Sequence, residues 1–190
     1  MLTDTTEITL VTEAKVAAKQ WEPANGTTSK SAPLLLVSSE SDAGQWGEFA
    51  DTASESGDVY AIWDVAPYTL IQTIWAIGEP VSLVAQGKKA CEIALQAAKL
   101  GKGAVRALVL VDYGLDDGES PAFSSTTCPL ALVRGRQSDA ADHEQTVRAR
   151  SALGSKCKLV ELENCGNRAP ESCPQDFLAA VEWFLRADAA

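Results

Sequence analysis

From Pro33 to the end of the chain, short apolar runs alternate with stretches whose apolar residues recur every three or four positions. The runs are Pro33–Ser38, Asp58–Trp63, Val81–Ala85, Val105–Val111, Leu130–Arg134 and Lys158–Leu162. Most are near-continuous Val, Leu and Ile, which predicts strands covered on both faces. Between and after them, Gly44–Ser54, Tyr68–Ile77, Lys88–Gly101, Asp139–Leu153 and Pro174–Ala187 read as helices. The last carries Phe177, Leu178, Val181, Phe184 and Leu185 along one stripe. Ahead of this series, Ile8–Thr12 and Lys15–Trp21 predict two short antiparallel strands. A breaker-rich stretch, Glu22–Ala32, follows them and holds the Asn25-Gly26 turn signal. The order predicts a doubly wound α/β fold in a single domain over 1–190. Its sheet is mostly parallel and twisted, with helices on both faces and antiparallel strands leading.

Composition narrows the function more than the fold. The chain has 190 residues, 46% hydrophobic and 22% charged, enough to bury a core and unlike a disordered or fibrous protein. Its 16 Lys and Arg face 26 Asp and Glu, a net charge of −10. Such a surface repels phosphate backbones and anionic lipid, which argues against nucleic acid and membrane partners. No apolar run reaches the roughly 20 residues that cross a bilayer. Met1–Leu10 has neither the basic nor the apolar region of a secretory signal. The five cysteines (Cys91, Cys128, Cys157, Cys165 and Cys173) show no C-x-x-C spacing. They read as reduced thiols of a cytoplasmic protein, with no metal site and no cofactor motif. The sequon Asn25-Gly26-Thr27 matters only in a secreted chain.

In sheets of this kind, ligands bind beyond the carboxyl ends of the strands. The residues standing there are Ser38-Ser39, Asp64, Gln86-Gly87-Lys88, Asp112, Gly135–Asp139 and Asn164–Arg168. Taken in order, these junctions resemble the α/β-hydrolase superfamily over nearly the whole chain. Pro80–Ala90 (PVSLVAQGKKA) looks like its strand–nucleophile-elbow–helix unit. Pro129–Asp139 (PLALVRGRQSD) looks like the strand and loop that carry the acid. Glu161–Leu185 (ELENCGNRAPESCPQDFLAAVEWFL) looks like the histidine loop and last helix. Only a short loop lies between Asp112 and Pro129, where many relatives insert a cap, so the resemblance implies a capless, minimal member.

That family attacks with a side chain on the elbow, passes its proton to a His, and orients the His with an acid. Here the nucleophile position is Gly87, flanked by Ala85 and by Lys89 where a small residue is usual. The histidine position is Asn167, which has no titratable nitrogen. Asp139 alone survives as the matching acid, and Ser38-Ser39 stand where relatives often carry His-Gly. The expectation is a degenerate triad and a protein that binds a small ligand or a partner protein. Two alternatives stay open. One is an esterase or amidase using Ser38, Ser39 or Cys165 with Asp139; the other is a structural subunit of an oligomer.

Other residues have a chemical and a plainer reading. His143, the single histidine, follows Asp139 by four residues, so the two could pair on one helix face, or His143 could be a surface residue. Gln86, Lys88 and Lys89 open a helix and could hold a small anion or carboxylate at its positive end, or the lysines could be solvated. Cys165 and Cys173 flank Asn167 and could supply a thiol, a redox pair or packing. Asp64 and Asp112 read as turn caps. Ser124 and Ser125 are unsupported as displaced nucleophiles. The five tryptophans read as core and rim packing.

Overall fold

The computed structural model describes residues 2–10, 12, 14–23, 31–39, 46–121 and 126–187. Its elements run β1 (Leu2–Thr9), β2 (Lys15–Trp21), β3 (Leu34–Ser38), α1 (Gly47–Ala53), β4 (Val59–Trp63), α2 (Pro67–Ile77), β5 (Val81–Gln86) and α3 (Lys88–Leu100). They continue with β6 (Val105–Val111), β7 (Leu130–Gly135), α4 (His143–Leu153), β8 (Cys157–Leu162), α5 (Ala169–Ser172) and α6 (Pro174–Ala187).

The eight strands form one sheet in the order β1-β2-β4-β3-β5-β6-β7-β8. Only β1–β2 and β2–β4 pair antiparallel. The other pairs are parallel, as the strand–helix alternation requires. Alternation along each strand divides the core in two. Leu35, Val37, Leu83 and Ala85 pack with Leu70, Ile74, Ala94 and Ala149, from α2, α3 and α4. Leu34, Leu36, Val84 and Val109 face the other way, onto Trp46, Phe49, Phe177 and Phe184. Phe49 of α1 and Phe177 of α6 meet edge to face with centroids 4.8 Å apart. Trp21 and Trp46 are core residues, whereas Trp75 and Trp183 are exposed. No helix among the described residues is long and apolar enough to cross a membrane.

Three elements differ from the sequence expectation by more than one residue. The first strand is Leu2–Thr9 rather than Ile8–Thr12. It is an edge strand paired only with β2, and Thr5–Thr9 are exposed or half-buried, so no apolar pattern marks it. Helix α1 begins at Gly47, and residues 44 and 45 lie outside the described residues. Helix α4 begins at His143, not Asp139, because Asp142 caps it. The Asp142 carboxylate accepts the Gln145 N–H at 2.7 Å, and the Gln145 side chain accepts the Asp142 N–H at 3.0 Å. The Asn25-Gly26-Thr27 turn and sequon, together with Ser124 and Ser125, also lie outside the described residues.

The parallel strands end along one edge. Ser38 pairs in register with Gln86, and Gln86 with Val111. The next residues, Ser39, Gly87 and Asp112, are thereby brought together at the sheet's carboxyl rim. The Gly87 N–H donates to Val111 O at 3.0 Å and the Asp112 N–H to Val133 O at 3.0 Å.

Candidate functional site

The elbow forms because a fully buried strand, β5, turns straight into an amphipathic helix, α3. The turn residue, Gly87, has φ 83° and ψ 154°. That region is open in practice only to glycine. A Cβ placed there would meet nothing nearer than Ser39 Oγ at 3.9 Å, so the nucleophile position is open space. Lys89 leaves the turn intact by pointing away, its ammonium 3.1 Å from Asp64. Lys88 reaches Glu119 at 2.6 Å and Asp116 at 3.4 Å. The hydrogen bond with Glu119 raises the Lys88 ammonium above its ordinary pKa. These carboxylates offset the cost of two cations in a first helical turn. They also take both lysines out of the site, since neither lines the cavity above Gly87.

That cavity has a volume of about 180 Å³. Ser38, Ser39, Gln86 and Gly87 form one wall; Asp112, Ala140, Asn167 and Arg168 form the other. Of the predicted ligand-binding residues, Ser38, Ser39 and Gln86 are therefore at the site. Lys88, Lys89 and Cys165 are not. Gln86 is only 7% exposed, and its Oε1 is buried without a hydrogen-bond partner among the described residues.

The opposite wall is tightly bonded. Asn167 Oδ1 accepts the Asp139 N–H at 2.9 Å and the Ala140 N–H at 3.1 Å, and lies 2.6 Å from Ser138 Oγ. Its Nδ2 donates to Asp139 Oδ1. Asn167 and Asp139, read from the sequence as the histidine and acid positions, are thus paired as amide and carboxylate. These bonds to the Asp139 and Ala140 amides hold the loop out of α4, so Asp139 and His143 do not share a helix. His143 instead lies 3.0 Å from Glu161 Oε1, which also accepts from Arg134 Nη1 at 2.8 Å. Hydrogen bonding from His143, then from Arg134, holds the Glu161 carboxyl below its ordinary pKa.

Asp112, read from the sequence as a turn cap, is 4% exposed and on the cavity wall. Its Oδ2 accepts the Arg168 N–H at 3.0 Å, and its Oδ1 is 3.1 Å from Ser138 Oγ. Burial pushes its carboxyl up, against those hydrogen bonds and the Arg134 charge. Ser138 entered the sequence reading only within the strand-tip range Gly135–Asp139. The available signal was position: Asp112 ends an all-apolar strand beside the elbow, where burial of its carboxylate could have been anticipated. Asp64, Asp112, Asn164 and Arg168 all have positive φ, so backbone strain gathers at the strand tips.

Cys165 and Cys173 are joined in a disulfide, which corrects the expectation of reduced thiols at these positions; Cys91, Cys128 and Cys157 are free. Their eight-residue separation in sequence gives no motif, and only the turn into α5 brings them together. Cys165 is fully buried, so it offers the cavity no thiol. No cluster among the described residues could hold a metal ion.

No family model matches the chain, and no curated protein matches it. Solved structures do resemble it closely in shape. A membrane phospholipase A described as a bacterial virulence factor superposes with a TM-score of 0.79 at 15% identity, over 99% of this chain and 87% of that one. A CIB-like hydrolase from Thermoplasma acidophilum gives 0.76 at 13% identity, over 98% and 100%. An alpha/beta hydrolase enzyme from a lagoon-sediment metagenome gives 0.70 at 16% identity, over 99% of each. The chain therefore has the α/β-hydrolase fold, and no cap domain stands among the described residues.

Proposed function

We propose that this α/β-hydrolase-fold protein has lost triad hydrolysis and binds a small molecule in the cavity at its strand tips. One observation carries the reading. The nucleophile position is an empty glycine in a backbone conformation foreign to side chains, and the histidine position is an amide bonded to the surviving acid. Covalent acyl transfer needs an attacking atom and a proton acceptor, and neither stands there. Fold likeness to hydrolases does not replace them, because activity resides in the site.

The alternative esterase or amidase would need Ser38, Ser39 or Cys165 to act with Asp139. Cys165 is spent in the disulfide, and Asp139 is bonded to Asn167. The test is paired. Ligand-dependent thermal stabilisation without hydrolysis of p-nitrophenyl acetate or butyrate is the expected result. Hydrolysis above background that one substitution at the cavity abolishes would refute it.

A further inference from the structure

The part of the cleft wall that carries Asn167 and Arg168 is a loop closed on itself. Cys165 and Cys173, eight residues apart in sequence, are joined by the disulfide. Both residues that this loop gives the cavity lie between them. Asn167 holds the Asp139 and Ala140 N–H groups, and the Arg168 N–H donates to the buried Asp112 carboxyl. Arg168 does so from a positive φ of 57°. That conformation is costly for a residue with a side chain and persists only where the surroundings hold it. The disulfide supplies part of the hold, because a closed loop has fewer open conformations to escape into.

The bond serves this loop more than the fold at large. A chain of 190 residues buries enough apolar surface to fold without a cross-link. The loop is also fitted for the opened bond. Ser172 Oγ lies 3.4 Å from Cys165 Sγ, and Ala169 O lies 3.4 Å from Cys173 Sγ. Each sulfur, once a thiol, has an oxygen in place for its proton. The two sulfurs differ in access. Cys165 is fully buried, whereas Cys173 is half-buried at the end of α5. An incoming thiolate therefore meets Cys173 first.

We infer that the Cys165–Cys173 bond is a redox control on the cleft: a dithiol reductant opens it and loosens the Asn167 wall while the sheet stays folded. One thiolate of the dithiol attacks Cys173 Sγ. The bond between the two sulfurs breaks, and its electron pair leaves on Cys165 Sγ, which takes up a proton. The second thiol of the reductant, deprotonated, then displaces Cys173 from the mixed disulfide, and Cys173 Sγ takes up a proton in turn. Two electrons and two protons pass to the protein, and the dithiol ends as a cyclic disulfide. The oxidised dithiol runs the same exchange backwards. The control acts on the wall whether or not a ligand fills the cleft.

The experiment treats the whole folded chain with dithiothreitol and then with its oxidised form. Thiols are counted by mass after alkylation in denaturant, and amide hydrogen exchange is followed by NMR. Reduction is expected to add the Cys165 and Cys173 thiols to those of Cys91, Cys128 and Cys157. It is expected to speed exchange of the Asp139 and Ala140 amides at least about tenfold, the scale set by releasing a short closed loop. Leu83 and Val109, in the central strands, are expected to keep their rates, and the oxidised reagent to restore the wall. Cys173→Ser is expected to show the fast exchange without any reductant; if that variant fails to fold, the reduced unmodified chain gives the same reading. A bond that resists dithiothreitol until urea unfolds the chain would overturn the inference. So would wall amides that keep their rates on reduction. Exchange rising equally at Leu83 and Val109 would overturn it too, by making the bond a staple of the whole fold.

Discussion

The two walls of the cleft are occupied in opposite ways. On the β5–α3 side, Gly87 presents no side chain, and the space beside it is open. On the β7–β8 side, Asn167 is bonded to Ser138, Asp139 and Ala140. One wall is defined by a missing group and the other by a satisfied network. Two glycines express the difference. Gly87 is needed for its dihedral angles, and Gly135 for its lack of volume, since a Cβ there would lie 2.2 Å from Cys165 O and 2.4 Å from Gly166 O. One wall of the cleft is thus open while the other is closely packed.

The sharpest way to break the comparison is at the crowded wall. Gly135→Ala cannot relax by moving a side chain, because the atoms it meets are backbone carbonyls of the loop carrying Asn167. The expected loss is about 3 kcal/mol or more, the upper range for overpacking, seen as a lower urea midpoint. An unchanged midpoint would mean that the Cys165–Asn167 loop is not seated on β7 as described. Gly87→Ser comes next. It places a hydroxyl into open space but forces a disfavoured backbone, with an expected loss of about 1–3 kcal/mol. It is expected to give no esterase activity, because Asn167 cannot take a proton. Turnover from this single change would reveal another base at the cleft. Gly87→Ser with Asn167→His tests whether Asp139 still stands where an imidazole can use it.

Legibility in the sequence followed the same division. The apolar runs of β3 to β7 announced the sheet because both their faces are largely covered. Strand β1 did not, because its visible residues from Thr5 to Thr9 lie at an exposed edge. The place of Gly87 was readable, since it stands one residue beyond a buried strand. The network was not. Ser138, Asp112 and Arg168 come from three separate junctions, and their hydrogen bonds depend on how those loops turn. The partners of Lys88, Lys89 and His143 were hidden for the same reason: Asp64, Asp116, Glu119 and Glu161 are distant in sequence.

A milder perturbation of the bonded wall is Asn167→Leu. It removes the acceptor of the Asp139 and Ala140 N–H groups and the partner of Ser138. Asn167 is exposed, so water can replace part of what is lost, and the expected cost is about 1–2 kcal/mol in urea denaturation. Asn167→Asp, which keeps an acceptor but faces Asp139, is expected to be less stable at neutral pH than in acid. Equal stability of both variants with the unmodified chain would show that the network holds nothing in place.

The smallest effect expected is a slope with pH, and it separates the walls again. Asp112 is raised by burial, and the charged or titratable groups about it are Arg134 of β7, Arg168 of the loop and the buried Cys91 thiol of α3. A carboxyl raised in the fold keeps its proton longer there than in the unfolded chain. Its contribution is present below the ordinary carboxyl pKa and is lost as pH rises through the raised one. Glu161 is lowered, so its contribution is present above the ordinary carboxyl pKa and is lost as pH falls through the lowered one. Asp112→Asn removes the raised carboxyl, so it should flatten the first slope and leave the second. Glu161→Gln should do the reverse. Urea midpoints across the acid range read both at once. A first slope that survives Asp112→Asn would mean that another group carries it.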